Sequence, residues 1–379
     1  MMIYLVVFSI SCLLFAIGEK KYKFCFVLGL ILPTLLATMR ADTVGVDVHV
    51  YVTPTYEHAK SANDISQFIM FNKSDLMTKD LEFGFIFISY LAANFFGGLW
   101  GLFFVYQLIM MLCIYYSIVE FSKLNLLHSE SDCSIKIWHG MYVYYMLFYN
   151  VSLMMIRQSL ACSLVLLGVI LFVNKKNIKS IICIVLAISF HSTALIAIPM
   201  IAMYILLKEK GQIIQKIILF IGVIVFILGG QGYWIVLNIL NNFITIPGRY
   251  MSYAYMFLQG NDINLAWVYM ITISVITVYR LYQKYKTLIN RYMLFLTFWS
   301  VFLFPLSIAS ANAGRIEYYF MYFLVLSIPM MTKAFKNVYC KDKRASVYMI
   351  LLFGLIYWLG TIGLNDYTGT ADYEFAFFQ

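Results

Sequence analysis

The chain is 379 residues long, 63% hydrophobic and only 12% charged, with a mean hydropathy of +0.83. Soluble domains carry roughly 25% charged residues, so this composition excludes a soluble enzyme and describes an integral membrane protein. The formal net charge of +9 invites a nucleic-acid partner, but the placement of that charge along the chain argues against one.

In chain order, apolar runs predict spanning helices at about 2–17, 24–39, 98–119, 137–154, 158–173 and 178–190. They continue at about 193–207, 213–229, 264–281, 290–308, 316–331 and 346–363. The first run has no basic region before it and no small-residue cleavage site after it. Lys20, Lys21 and Lys23 follow it instead, which predicts a retained helix with its N-terminus outward. Twelve spans place the basic breaks Lys20–Lys23, Lys175–Lys179, Lys208–Lys216, Arg280–Arg291 and Lys333–Arg344 on one side. Lys and Arg concentrate in cytoplasmic loops, so the charge is a topology signal and nucleic acid is not expected as a partner.

One apolar run, Leu81–Phe96, inverts every later loop if it is counted as a span. It is expected to be an interfacial or re-entrant helix near 82–96 on the outer face, with Gly97 and Gly98 as the break. Two long outer loops, about 40–81 and 230–262, and an acidic tail with Asp366, Asp372 and Glu374 complete that face. Loops of this length inside a compact domain are usually functional. None of the seven cysteines falls in an outer loop, so no disulfide framework is implied. The expected fold is therefore all-α and polytopic, with one membrane-embedded domain over residues 1–379.

Chemistry concentrates where the second span ends. In Met39–Tyr51, the polar residues Arg40, Asp42, Asp47, His49 and Tyr51 crowd around Gly45. Four outer arginines, Arg40, Arg157, Arg249 and Arg315, lie at membrane edges, whereas Lys60, Lys73 and Lys79 lie out in the loop. One such arginine is as readily a snorkelling anchor. Four together suggest an anion, because the guanidinium fork suits bidentate contact with phosphate. Arg157 and Arg315 are expected at the start of inward-running helices, where a cation is unfavourable unless an anion joins it. Gly248-Arg249 and Gly314-Arg315 are each followed one helical turn on by a tyrosine, Tyr253 and Tyr319. Tyr51, Tyr250, Tyr253 and Tyr319 are placed to stack on a sugar ring.

Three residues compete as general base. His191, at the turn between two spans, has a suitable ordinary pKa but is as easily a hydrogen-bonded interface residue. Asp47 and Glu82 are weak bases unless burial raises them, and their bland alternatives are a turn or Arg40 pair and a helix cap. No metal-ligand spacing, P-loop or dinucleotide fingerprint occurs on the outer side, so neither metal nor cofactor is expected.

The ordered set Arg40…Gly45-x-Asp47…Tyr51, Glu82-x-Gly84-Phe85, Arg157-Gln158…Ala161, His191-Ser192-x-Ala194, then Arg249 and Arg315, resembles the EpsG-type branch of Wzy polysaccharide polymerases. Phe83 stands where Pro commonly follows the Glu, and Val46 where Thr often follows the Gly. The resemblance implies a GT-C-like glycosyltransferase of the bacterial inner membrane with its site facing outward. Its substrates would be undecaprenyl-diphosphate-linked oligosaccharides, with a chain-length regulator as a further partner. An O-antigen ligase using the same donor and a lipid-linked oligosaccharide flippase are the alternatives. A flippase should carry charge in mid-helix along a passage, whereas these charges cluster at one face.

Overall fold

The computed structural model describes residues 1–45, 47–127, 135–209, 211–242, 272, 275–276, 278–280, 282–283, 286–309, 311–330 and 343–376. The expected span at 264–281, most of the expected 230–262 loop, Arg249, Tyr250 and Tyr253 lie outside the described residues or nearly so. Among the described residues the fold is all-helical, and an isolated antiparallel bridge between Arg40 and Phe375 is the sole β pairing. Among the described residues six helices are long and apolar enough to cross a membrane, joined by shorter apolar helices at Phe24–Thr38, Phe83–Phe96, Asn177–Phe190 and Ile213–Leu228. This is the make-up of a polytopic membrane protein. The chain divides into two compact units, Met1–Leu195 with Asp342–Gln379, and Ile196–Lys341.

The first unit opens with α1 (Met2–Lys20) and α2 (Phe24–Thr38), which pack side by side. Pro33 lacks the N–H that would bond the Gly29 carbonyl; the Ser11 hydroxyl donates to that oxygen instead, at 2.7 Å. The expected 40–81 loop proves to be mostly helical: a π-helical turn at Val48–Val52, α3 (Thr53–Ser61) and α4 (Ile65–Ser74). Local capping explains why polar sequence is helical here. Pro54 sits in the first turn of α3, and Asp64 accepts from the Gln67 amide at 2.7 Å while Gln67 accepts from the Asn63 amide at 2.8 Å.

Next comes α5 (Phe83–Phe96), whose 14 residues extend about 21 Å, short of the roughly 30 Å hydrocarbon core. Gly97, at φ 66°, ends it in the left-handed conformation. The long helix α6 (Leu99–Leu127) follows, eight residues beyond the apolar run that predicted it. A continuous helical stretch is built from α7 (Ile137–Tyr144), a π segment at Tyr145–Tyr149 and α8 (Asn150–Met154). Met155 breaks it, α9 (Ile156–Val173) and α10 (Asn177–Phe190) form a hairpin, and a 3-10 turn at Ser192–Ile196 leads to α11 (Ala197–Glu209).

Aromatic rings fill the core of the first unit. Phe8 stacks on Tyr145 at 4.8 Å, and Tyr4 meets Tyr149 and Trp358 edge-on at 6.2 and 6.3 Å. Trp358 closes the helix Lys343–Trp358, after which Leu359–Leu364 continues as a π segment into the tail.

Polar contacts mark the two ends of this unit. At one end Glu120 on α6 binds both Lys123 and Lys176, and Glu19 accepts the Ile137 amide. At the other end the Met1 amine donates to Ala371, and Asn150 donates to Thr370, which also accepts from Tyr4. The basic breaks after α1 and α9 therefore share one end, and the Arg40 loop shares the other with the acidic tail.

In the second unit, α12 runs Gly211–Asn241, well past the span predicted to stop at 229. The apolar run Trp234–Leu240 is able to carry the helix on into the expected 230–262 loop. Helix Leu288–Ala309 packs against α12 and against helix Ala311–Met321.

Candidate functional site

Each functional side chain of the first unit is delivered by an element end. The Arg157 side chain leaves the first turn of α9, as expected, and its Nη1 binds Glu82 Oε2 at 2.6 Å. Both side chains are 15% exposed. Glu82 occupies the N-cap position of α5 but does not cap that helix with its side chain. Its second oxygen, Oε1, accepts from the Ser192 amide at 3.2 Å. Burial alone would raise the Glu82 carboxyl, but the charge of Arg157, then that of His191 and the Ser192 amide, outweighs it and holds the group below its usual value.

His191 caps the end of α10, and its Nδ1 lies 2.6 Å from Thr193 Oγ1. Gly84 permits this meeting. A Cβ there would come within 2.4 Å of Ser189 Oγ and 2.7 Å of the Ser189 carbonyl oxygen, so only glycine lets α5 lie against the end of α10.

The Gly45 loop reaches the same cluster. Gly45 has φ +101° and presses on the Leu153 carbonyl, where a Cβ would stand 2.7 Å away. Two residues on, Asp47 accepts the Tyr51 hydroxyl at 2.9 Å. The Tyr51 ring lies 4.6 Å beneath the Arg157 guanidinium, so one of its two faces is occupied by a cation. Asp47, Tyr51, Glu82, Arg157 and His191 are thus brought together, linked by contacts the sequence spacing does not show.

Arg40 lies apart from that ion pair. It is 3% exposed, its guanidinium sits 4.1 Å over the Phe103 ring, and its Nε and Nη1 have no hydrogen-bond partner. Burial pulls its pKa down to about 10, opposed by the nearby Tyr149, Tyr4 and Tyr373, so it remains a cation at neutral pH. The alternative pairing of Asp47 with Arg40 is not formed among the observed ion pairs. The tail roofs Arg40: the Ala41 amide donates to the Glu374 carbonyl at 2.8 Å and the Ala376 amide to the Met39 carbonyl at 3.0 Å.

The second unit places Arg315 differently from expectation. The helix begins at Ala311, so Arg315 lies in its second turn rather than at its start. The small residues Ala311–Gly314 are not apolar enough to mark a span but are helical nonetheless. Tyr319 is fully buried, so its ring offers no open face to a sugar. Among the described residues, no three His, Cys, Asp or Glu side chains gather as metal ligands.

Sequence reasoning missed Phe103 and Gln107, two positions in an apolar helix with no motif around them. Comparison with curated proteins gives no match, and neither does comparison with solved structures. The model of one family, EpsG, matches residues 21–375, which takes in every residue of the cluster described above. Arg40, the Asp47–Tyr51 turn and the Glu82–Arg157 pair thus belong to a chain that is a member of the EpsG family.

Proposed function

We propose that this chain is a repeat-unit polymerase of the bacterial inner membrane, with the Arg40 end of the first unit facing outward. Its donor is a glycan on undecaprenyl diphosphate and its acceptor is a lipid-linked oligosaccharide repeat. One observation carries this reading. Fixed cations, a carboxylate and an imidazole converge at one end of a lipid-soluble helical unit, where a charged leaving group and a hydroxyl nucleophile both need handling. A chain-length regulator is proposed as its protein partner.

In the proposed reaction the acceptor hydroxyl oxygen bonds to the donor's anomeric carbon. The bond from that carbon to the phosphate oxygen breaks, and the lipid diphosphate leaves with the electron pair. His191 takes the hydroxyl proton, and Glu82 faces the imidazolium that forms. Glu82 is itself a poor base, because its ion pair favours the carboxylate. Asp47 holds Tyr51, and through it the Arg157 guanidinium. Preorganised arginines stabilise the diphosphate charge that develops; on the sequence pattern alone, Arg315 and Arg249 are proposed as further diphosphate-binding residues.

The test uses purified full-length protein in proteoliposomes supplied with a lipid-linked repeat. Long glycans still attached to carrier lipid are expected. Delivery to a core-lipid acceptor in a single transfer would make the protein a ligase, and movement across the bilayer with no new bond would make it a flippase. His191→Gln should stop extension while Asp47→Asn leaves slow extension; the reverse result would transfer the base to Asp47.

A further inference from the structure

Among the described residues, two of the buried side chains of the first unit that have unpartnered polar atoms leave hydrogen-bond donors without an acceptor. Arg40 leaves Nε and Nη1 unmet, and Gln107 on α6, 2% exposed, leaves Nε2 unmet. A buried polar group without a partner is destabilising, and an unpaired buried cation more so. Two independent sets of contacts point to these donors as neighbours. Phe103 carries the Arg40 guanidinium on its face, and Gln107 stands four residues further along the same face of α6, about 6 Å on. On the facing helix Tyr149 is among the groups acting electrostatically on Arg40, and Ser152, nearly one turn on, donates to Gln107 Oε1 at 3.5 Å. The same hydroxyl donates at 2.6 Å to the Tyr149 carbonyl, so its contact with Gln107 is the weaker of the two.

We propose that Arg40 and Gln107 line a single buried subsite for a phosphate-type oxyanion, roofed by the tail segment Tyr373–Ala376. Every unmet group there is a donor, so the missing ligand is rich in acceptor oxygens and negatively charged. Arg157 is the weaker candidate for this task, since Glu82 already neutralises it at 2.6 Å. The roof is held by a few bonds at the rim: Tyr373 hydroxyl to the Leu36 carbonyl, Thr43 hydroxyl to Glu374 Oε2, and the two backbone bonds to Met39 and Ala41. Opening these admits a headgroup without disturbing the aromatic core. The inference deepens the proposed polymerase, on which it rests for the identity of the ligand as a lipid diphosphate.

The experiment is thermal unfolding of the full-length protein in detergent, titrated separately with farnesyl diphosphate, inorganic pyrophosphate and phosphatidylglycerol. Farnesyl diphosphate is expected to raise the unfolding temperature. Gln107→Met should weaken that response about tenfold, the value of one hydrogen bond to a charged group, without lowering the ligand-free temperature. Gln107→Glu puts a carboxylate where the anion would sit, so it should raise the ligand-free temperature and abolish the response. It decides the matter if Gln107→Met fails to fold. A Gln107-dependent response to pyrophosphate alone, or to phosphatidylglycerol alone, upholds the subsite and names a free phosphate or a resident lipid headgroup as its occupant. No response to any of the three, or unchanged binding in both variants, overturns it. The polymerase reading fails separately. Absent glycan extension with a Gln107-dependent response removes the function and keeps the subsite, while normal extension with unchanged binding in Gln107→Met does the reverse.

Discussion

At the scale of single residues, the Glu82–Arg157 pair is the joint between the α5 and α9 ends of the cluster. Glu82→Gln leaves the largely buried guanidinium without its counter-charge and should destabilise the protein by about 2 kcal/mol, the range for hydrogen bonds to charged groups. The pH dependence has a definite sign. Burial pushes Glu82 up, but Arg157, His191 and Ser192 bring its folded value below the ordinary 4.5. A carboxyl depressed by folding contributes fully above its unfolded value and loses that contribution as pH falls through the folded one. Unfolding temperature should therefore be flat with respect to this pair from neutral pH to about 5 and then fall, and Glu82→Gln should lack that acid limb. A wild-type acid limb that survives in Glu82→Gln would assign it elsewhere. Arg40, Asp47, Glu82, Arg157 and His191 were legible because polar residues stand out in apolar sequence. Which of them touch was not, since Tyr51 meets Arg157 only through the fold.

At the scale of elements, glycines decide how closely the helix ends approach. Gly84→Ala would drive a methyl into the Ser189 backbone and lift α5 from α10, parting Glu82 from Ser192. Glycan extension should fall steeply, with a stability loss of about 1–3 kcal/mol from overpacking. Gly97→Ala is the control: unlike Gly84, Gly97 holds a left-handed conformation, but a Cβ there meets open space. It should cost about 1–2 kcal/mol of conformational energy and spare the site. Equal loss of extension in both would show that α5 placement does not matter to the reaction. Hydropathy found most helices here, because apolar length is what it measures. It misjudged where they end, as at α6, α12 and Ala311, because a helix runs on through polar or small residues whenever its backbone bonds can continue. It also read 40–81 as loop, although Asp64-x-x-Gln67 already carried a capping signal.

At the scale of the molecule, the first unit separates a lysine-rich end from the end that holds Arg40, Glu82 and the tail. The proposed orientation is open to labelling. In a cysteine-free background, a cysteine at position 60 should react with an impermeant reagent from outside, and one at position 175 only after the membrane is breached. The opposite pattern would turn the site toward the cytoplasm and remove the lipid-linked glycan as its substrate. The roof over Arg40 has a further consequence, for the order of assembly. Its two segments are Met39–Ala41 and Glu374–Ala376, partners separated by nearly the whole chain and by every helix after α2 up to Lys343–Trp358. The cage around Arg40 can close only after the last helix, Lys343–Trp358, has been threaded into the bilayer. Until then the guanidinium is hydrated and behaves as an ordinary loop cation. A half-inserted chain therefore lacks the finished form of the proposed anion site, and on that proposal cannot capture a carrier lipid that it would be unable to use.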